Sequence, residues 1–428
     1  MDYERKFFMN IGIKNTSNRN NAVQKHKAQD ILHSIKLSKH FNIPSENENF
    51  SSNCIVIGSA GCGKTKGFVI PNLLEGEDSF VVLDLKHEIL NSFQSPETKT
   101  YVLDLKTQNG GYNPFDYIEN KEDAARFSEC LYQLVVNREF VDGAEESFKE
   151  TEKKILTAYI KFIAYGYGYN PIICGKEVYE KNPRGLYKLA MSGKIKEYAE
   201  KAKQIIGKLP SCFHVLFDEN EKIINNIVSK LSIEIASFLT EEVLNLTDKS
   251  SFHLSELYNE KERTGLFIEL DDYVKENSFA TLVIWQIADR MKAMKEHGEF
   301  AKYVVNFYLD NFEMIPRLPG ARELFASARN SRYNFILCFR TLTGFASRYM
   351  ENAEEVLATC SYLVFYPETC DEKTMEFVEA YKKSSLESVE NIEEINSIFK
   401  NGRVMISAPG FPVFVDTALH EKGYIPQE

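Results

Sequence analysis

The chain has 428 residues, with 51 Lys and Arg against 62 Asp and Glu for a net charge of −11, and 43% of its residues are hydrophobic. This balance excludes a disordered chain and a predominantly basic surface built to wrap duplex DNA. The eight cysteines include no CxxC pair, which excludes a zinc or redox motif of that kind and fits free thiols in a reducing cytoplasm.

Residues 1–47 are polar, and KNTSNRNNAVQKHKAQD predicts a flexible segment before a short helix. The opening MDYERKFFMNIGIKN lacks the apolar core and cleavage site of a secretory signal. No apolar run approaches the roughly 18–20 residues that span a bilayer.

CIVIGSAGCGKTKGFVIPNLL carries the strongest signal. Residues 54–57 read as a short buried strand. Gly58-Ser59-Ala60-Gly61-Cys62-Gly63-Lys64-Thr65 then fits G-x-x-x-x-G-K-[ST]. Glycines let the backbone bend until several N–H groups face one anion. Lys64 would bring a point charge to the β- and γ-phosphates, and Thr65 a hydroxyl to Mg²⁺. The helix that starts here would aim its N-terminus at the phosphates. The candidate nucleotide-contacting stretch runs from Gly58 through Lys66. Pro71 lies early in the same helix, where it predicts a bend or interruption.

SFVVLDLKHEIL predicts a second strand ending in Asp84-Leu85-Lys86, and KTYVLDL a third ending in Asp104, ahead of Asn113-Pro114-Phe115. Strands alternating with helices predict a parallel α/β sheet covered on both faces. From residue 117 to 230 the period becomes helical. Ile155, Tyr159, Phe162 and Ile163 share one face, and IINNIVSKLSIEIASFL has a similar pattern. Strands return with GLFIEL, VVNFYL, NFILCF and YLVFYP. VVNFYLDNFEMI ends an apolar run at Asp310, which spacing alone does not separate from Asp84 or Glu269 as the carboxylate that holds a metal's water shell.

Taken together these stretches resemble the type IV coupling proteins of conjugation, the TraG/TraD-like ATPases related to FtsK-type translocases. IGSAGCGKTKGFVIPNLL resembles that group's Walker A helix, VVLDLKHEI its Asp-x-Lys-x-Glu strand, and YNPFD its Asn-Pro motif. FYLDNFEMIPRLPGARELFASARNSRYNFILCFRTLTGF resembles its Walker B, arginine and third-motif block. VMISAPGFPVFVDT resembles its last strands. The resemblance spans residues 50–417 and implies a RecA-like parallel-sheet P-loop NTPase core with an inserted all-α domain. The expected organisation is a flexible segment at 1–47, core at 48–116, all-α insertion at 117–230 and core again at 231–428. It also implies ATP and Mg²⁺ as cofactors, with Thr65 and Asp310 at the metal. Arg329 would reach a neighbour's nucleotide across a hexameric ring. The implied partners are DNA, a relaxase-type protein and the channel components of a membrane secretion system, with no small-molecule substrate but ATP. The expected location is the cytoplasm, either free or peripheral at the inner face of the membrane.

Two positions depart from that pattern. Asn311 stands where the group has the Glu that polarises the attacking water, and Arg340 stands where it has a Gln that senses the γ-phosphate. General-base assistance is worth roughly 10²–10⁴-fold, so hydrolysis should be slow unless another carboxylate substitutes; Glu313 is close in sequence. The leading function is an ATP-driven coupling protein that delivers DNA or a DNA–protein complex to a channel. The alternative is a nucleotide-binding, hydrolysis-deficient adaptor that recruits substrates without pumping. The helical insertion and Pro71 speak against a small-molecule phosphotransferase. Residues 181–208 carry Lys181, Arg184, Lys188, Lys194, Lys196, Lys201, Lys203 and Lys208 with Tyr187 and Tyr198 between them, either a track for phosphates or a solvated helix face. Residues 368–394 are acid-rich.

Overall fold

The computed structural model describes residues 33–47, 49–85, 87–136, 146–218, 220–259, 262–366, 372–376, 403–411 and 413–419. Lys86, most of the polar N-terminal segment and most of the acid-rich segment lie outside them. The chain divides into two compact units, Met1–Val102 with His253–Glu428, and Leu103–Phe252.

The first unit is built on strands. A short antiparallel hairpin pairs β1 (Ser34–Lys36) with β2 (Asn42–Pro44). The main sheet has nine strands: β3 (Cys54–Ile57), β4 (Ser79–Leu85), β5 (Lys99–Leu103), β6 (Thr264–Leu270), β7 (Val305–Leu309), β8 (Tyr333–Phe339), β9 (Tyr362–Phe365), β10 (Arg403–Ser407) and β11 (Phe414–Thr417). Their order is β11-β10-β9-β3-β8-β7-β4-β6-β5. The pairs β9/β3, β3/β8, β8/β7, β7/β4 and β4/β6 are parallel, whereas β10 runs antiparallel to both β9 and β11.

Strands β3, β7 and β8 are buried along their whole length. Continuous apolar runs suit central parallel strands, which have no solvent face. The polar exceptions are partnered. Asn306 in β7 accepts from Asn334 of β8 at 2.9 Å and donates to Asp78 at 3.1 Å. The turn between β1 and β2 is also joined to β11: Lys39 N donates to Thr417 O, and the Ser38 hydroxyl donates to Asp416 Oδ2 at 2.6 Å.

The second unit is helical, with its longest helices at Lys121–Val135, Glu146–Ala164, Ile195–Ile206 and Glu221–Phe238. Ile155, Tyr159, Phe162 and Ile163 are fully buried, as their common face requires. Helix Glu221–Phe238 buries Ile224, Ile227, Leu231 and Ile235 and runs on past residue 230. The contiguous helical unit therefore extends to Phe252, beyond the stretch that periodicity alone marks. Side-chain oxygens of Asn120, Asn182 and Thr240 cap three of its helices.

Candidate functional site

The order β3-β8-β7 lays three strand ends side by side. Because the strands are parallel, the residues that follow them, from Gly58, Arg340 and Asp310 onward, share one edge of the sheet. That edge is the usual ligand crevice of an open α/β sheet.

The loop after β3 uses its glycines for two different reasons. Gly61 and Gly63 have φ of +75° and +103°, values that a residue with a Cβ reaches only with strain. Gly58 is a matter of space, since a Cβ there would sit 2.7 Å from Tyr366 Cβ and 2.8 Å from Cys62 Sγ. The Lys64 ammonium is buried and donates to Gly58 O at 2.6 Å and Ser59 O at 3.0 Å. Ala60, Gly61 and Lys66 are exposed, with Ser59, Gly63 and Thr65 half-buried and Cys62 buried.

The helix that follows opens as a wide π-type turn, Thr65–Val69, and continues as an α-helix, Ile70–Glu75. Ile70 N donates to Thr65 O, five residues back. Pro71 explains the irregularity, because it has no N–H for the carbonyl of Gly67 four residues earlier. The buried Tyr366 hydroxyl donates to that carbonyl at 3.0 Å. Asn72 serves the next one, giving its Nδ2 to Phe68 O at 2.9 Å and to Lys36 O, while its Oδ1 accepts from Lys36 N. Tyr366 and Asn72 hold the candidate site from outside the motif. Asn72 is visible in sequence beside Pro71. Tyr366 has no local signal, being some 300 residues away in the chain (|i−j| = 299).

Thr65 Oγ1 donates to Asp310 Oδ2 at 2.7 Å. Burial pushes the Asp310 carboxyl up to about 6, against the pull of the Thr65 hydrogen bond and the nearby Lys64 charge. The other two acids are occupied elsewhere. Asp84 accepts from Ile89 N at 3.0 Å and Leu90 N at 2.7 Å, and so caps helix Glu88–Ser92. Glu269 accepts from His87 N at 3.0 Å. Of the three candidate carboxylates, Asp310 is the one hydrogen-bonded to Thr65.

Asn311 adopts a left-handed backbone, φ 53° and ψ 47°, which Asn tolerates better than most residues. It starts the turn Phe312–Met314, and Met314 N donates back to Asn311 O at 2.7 Å. Phe312 anchors the turn by stacking on Tyr349, with ring centroids 5.7 Å apart. Arg348 Nη2 donates to Glu313 O at 3.1 Å. Arg340, just past β8, puts its Nε 3.1 Å from Glu313 Oε1. This is an ion pair by distance but not an aligned hydrogen bond, and among the described residues no other side chain gives either Glu313 oxygen one. Arg329 lies exposed at the end of helix Ala321–Ala328, ahead of β8. It is therefore at the opposite edge of the sheet from Lys64.

Residues 181–208 are largely neutralised within their own unit. Arg184 bonds Asp248 at 2.8 Å, and Lys188, Lys194, Lys196 and Lys201 pair with Glu180, Glu177, Glu221 and Glu197. Lys181 donates to Ile118 O, and Tyr198 is buried. The arrangement is that of a solvated, self-paired face rather than a free phosphate track. Asn113, of the Asn-Pro motif, accepts from Phe115 N and donates to Lys181 O, so it ties the start of the helical unit together.

The family model for type IV secretory system conjugative DNA transfer matches residues 9–381. No curated protein matches the sequence. Among solved structures, the plasmid coupling protein TrwB in complex with ADP and Mg²⁺ aligns with a TM-score of 0.66 at 15% identity, covering 97% of this chain and 92% of that one. The complex of TrwB with a non-hydrolysable ATP analogue aligns at 0.65 and 16% identity over 97% and 92%. VirB4 of Thermoanaerobacter pseudethanolicus aligns at 0.53 and 13% identity over 90% and 95%. These likenesses establish the P-loop NTPase fold. No helix among the described residues is long and apolar enough to cross a membrane. The chain belongs to the type IV secretory system conjugative DNA transfer family.

Proposed function

We propose that this chain binds ATP with Mg²⁺ and hydrolyses it to move DNA, or a DNA–protein complex, toward a secretion channel. The observation that carries this reading is the bond from Thr65 to the buried Asp310, beside Lys64 and the glycine-bent loop. The donor set fits a hard divalent cation and a triphosphate, because a hydroxyl and a carboxylate are oxygen ligands of the kind Mg²⁺ selects. Lys64 is already placed to exchange two loop carbonyls for phosphate oxygens. When bound, the cation would be held by Thr65 and, through water, Asp310, and would neutralise charge on the β- and γ-phosphates. Backbone N–H groups from Gly58 to Lys66 would cradle the phosphates.

Arg329, at the opposite edge of the sheet from Lys64, would act on a neighbour's nucleotide in a ring rather than on its own. A hexameric ring, a relaxase-type cargo and docking at the inner face of the membrane complete the proposal. The adaptor reading rested on Asn311 and Arg340, and the family match favours the transfer ATPase over it.

Steady-state ATPase with and without single-stranded DNA tests the proposal, together with ADP affinity of wild type and Lys64→Ala. DNA-stimulated turnover and a large loss of affinity in Lys64→Ala are expected. Unchanged ADP affinity in Lys64→Ala would end the reading.

A further inference from the structure

We propose that Glu313 is the catalytic carboxylate of this chain, taking the role that Asn311 cannot fill. The inference rests on the reading of the chain as an ATPase. Its basis is a set of contacts at one turn. Asp310 ends β7 and bonds Thr65. The left-handed Asn311 then breaks the strand direction. Phe312 goes into the aromatic stack with Phe345 and Tyr349, and Glu313 comes to face Arg340 at the end of the neighbouring strand β8. Of the two positions that depart from the family pattern, Arg340 thus forms the ion pair and Asn311 starts the turn that carries Glu313 to it. The carboxylate has moved two residues along the turn, and Arg340 now holds it.

Glu313 is poorly explained as structure. Its side chain is only 17% exposed. A buried ionised carboxylate is stable only where its oxygens are well satisfied, yet among the described residues no side chain gives either oxygen an aligned hydrogen bond, and only the backbone N–H groups of Glu313 and Arg340 act on it. Arg340 lies near Oε1 and so orients the group; Oε2 is enclosed as well, and in the proposed step it would turn to the attacking water. Burial raises the carboxyl above its ordinary range, while its own N–H, Arg340 and Lys64 oppose the rise. Glu313 follows β7 and Arg340 follows β8, at the same edge of the sheet as the phosphate loop after β3.

The step balances without a further reactant. A water oxygen attacks the γ-phosphorus, the bond to the β,γ-bridging oxygen breaks, and ADP departs with that electron pair. The water proton passes to Glu313, which returns it to solvent. Arg340 is a positioning residue in this step.

The test compares wild type, Glu313→Gln and Glu313→Asp in the full chain, measuring kcat with Mg²⁺-ATP, affinity for the non-hydrolysable analogue ADPNP, and Tm. Glu313→Gln should lower kcat by about 10²–10⁴-fold while ADPNP affinity stays within about threefold and Tm does not fall. Glu313→Asp keeps the charge but shortens the reach, so kcat should fall at least tenfold with the fold intact. Arg340→Gln should lower kcat by less than Glu313→Gln and leave KM nearly unchanged. The inference is overturned if Glu313→Gln or Glu313→Asp keeps kcat within threefold of wild type. It is equally overturned if wild type binds ADPNP but turns over no ATP. Neither result touches the nucleotide-binding reading, which stands or falls on Lys64→Ala.

Discussion

Tyr366→Phe removes a single hydroxyl from beneath the phosphate loop. The hydroxyl donates to Gly67 O at 3.0 Å, the carbonyl that Pro71 cannot serve. The ring stays in place, so no cavity forms, and the whole effect is the lost donor to a buried acceptor. That loss costs about 1–2 kcal/mol, and at about 2–4 °C per kcal/mol the Tm should drop by about 2–8 °C. Gly67 stands two residues beyond Thr65, so a looser first turn should also weaken ADP binding, by up to about tenfold if 1.4 kcal/mol is drawn from binding. Pro71→Ala supplies the missing N–H. In the Tyr366→Phe background it should restore about half of the lost stability, a coupling of about 0.5–1 kcal/mol in a double-mutant cycle. Urea melts of the four proteins measure it. Strict additivity, or a Tyr366→Phe protein as stable as wild type, would refute the account of the π-type turn.

Asp310→Asn should stabilise the nucleotide-free protein at pH 8. The folded carboxyl lies at about 6 against an ordinary 3.8, so the fold favours the protonated form. The associated stability is full below pH 4 and is lost as pH rises through 6, with a ceiling of about 3 kcal/mol. Thermal melts from pH 5 to 8 should show the variant gaining on wild type with rising pH while losing Mg²⁺-dependent nucleotide affinity; a pH-independent difference would contradict this. In the helical unit, Glu152 is only 2% exposed and is held by Lys230 at 2.6 Å and by the Tyr132 hydroxyl at 3.0 Å. Lys230→Met should destabilise the unit by about 3 kcal/mol, because it removes the cation paired with a buried carboxylate, and Lys230→Met with Glu152→Leu should recover most of that; urea unfolding followed by circular dichroism decides.

The α/β class was legible because it is written in local patterns: all-apolar runs such as CIVI and FILCF, and a helical period that buries Ile155, Tyr159, Phe162 and Ile163. The glycine spacing of the phosphate loop was legible for the same reason. Other features depend on contacts between residues far apart in the chain. The choice among Asp84, Glu269 and Asp310 could not be made from spacing, since all three end apolar strands; it needed the strand order and the turn at His87–Leu90 that occupies the first two. The basic residues from 181 to 208 left a phosphate track and a solvated face both open, because a list of residues does not show which lysine meets which acid, and the partners of Arg184 at 241 and 248 are remote in sequence. The direction of Glu313 depended on one left-handed residue, which no periodicity reveals.

The clasp between Ser38 and Asp416 has a consequence for synthesis on the ribosome. The helical unit is one continuous stretch and can fold as soon as it emerges, whereas the nucleotide unit waits for its last strands while its first hairpin stands without them. Emergence of the strands at 403–417, rather than emergence of the glycine-rich turn, sets the moment at which the sheet can close. Nascent chains stopped before residue 400 should therefore resist protease across the middle segment and be cut on either side of it.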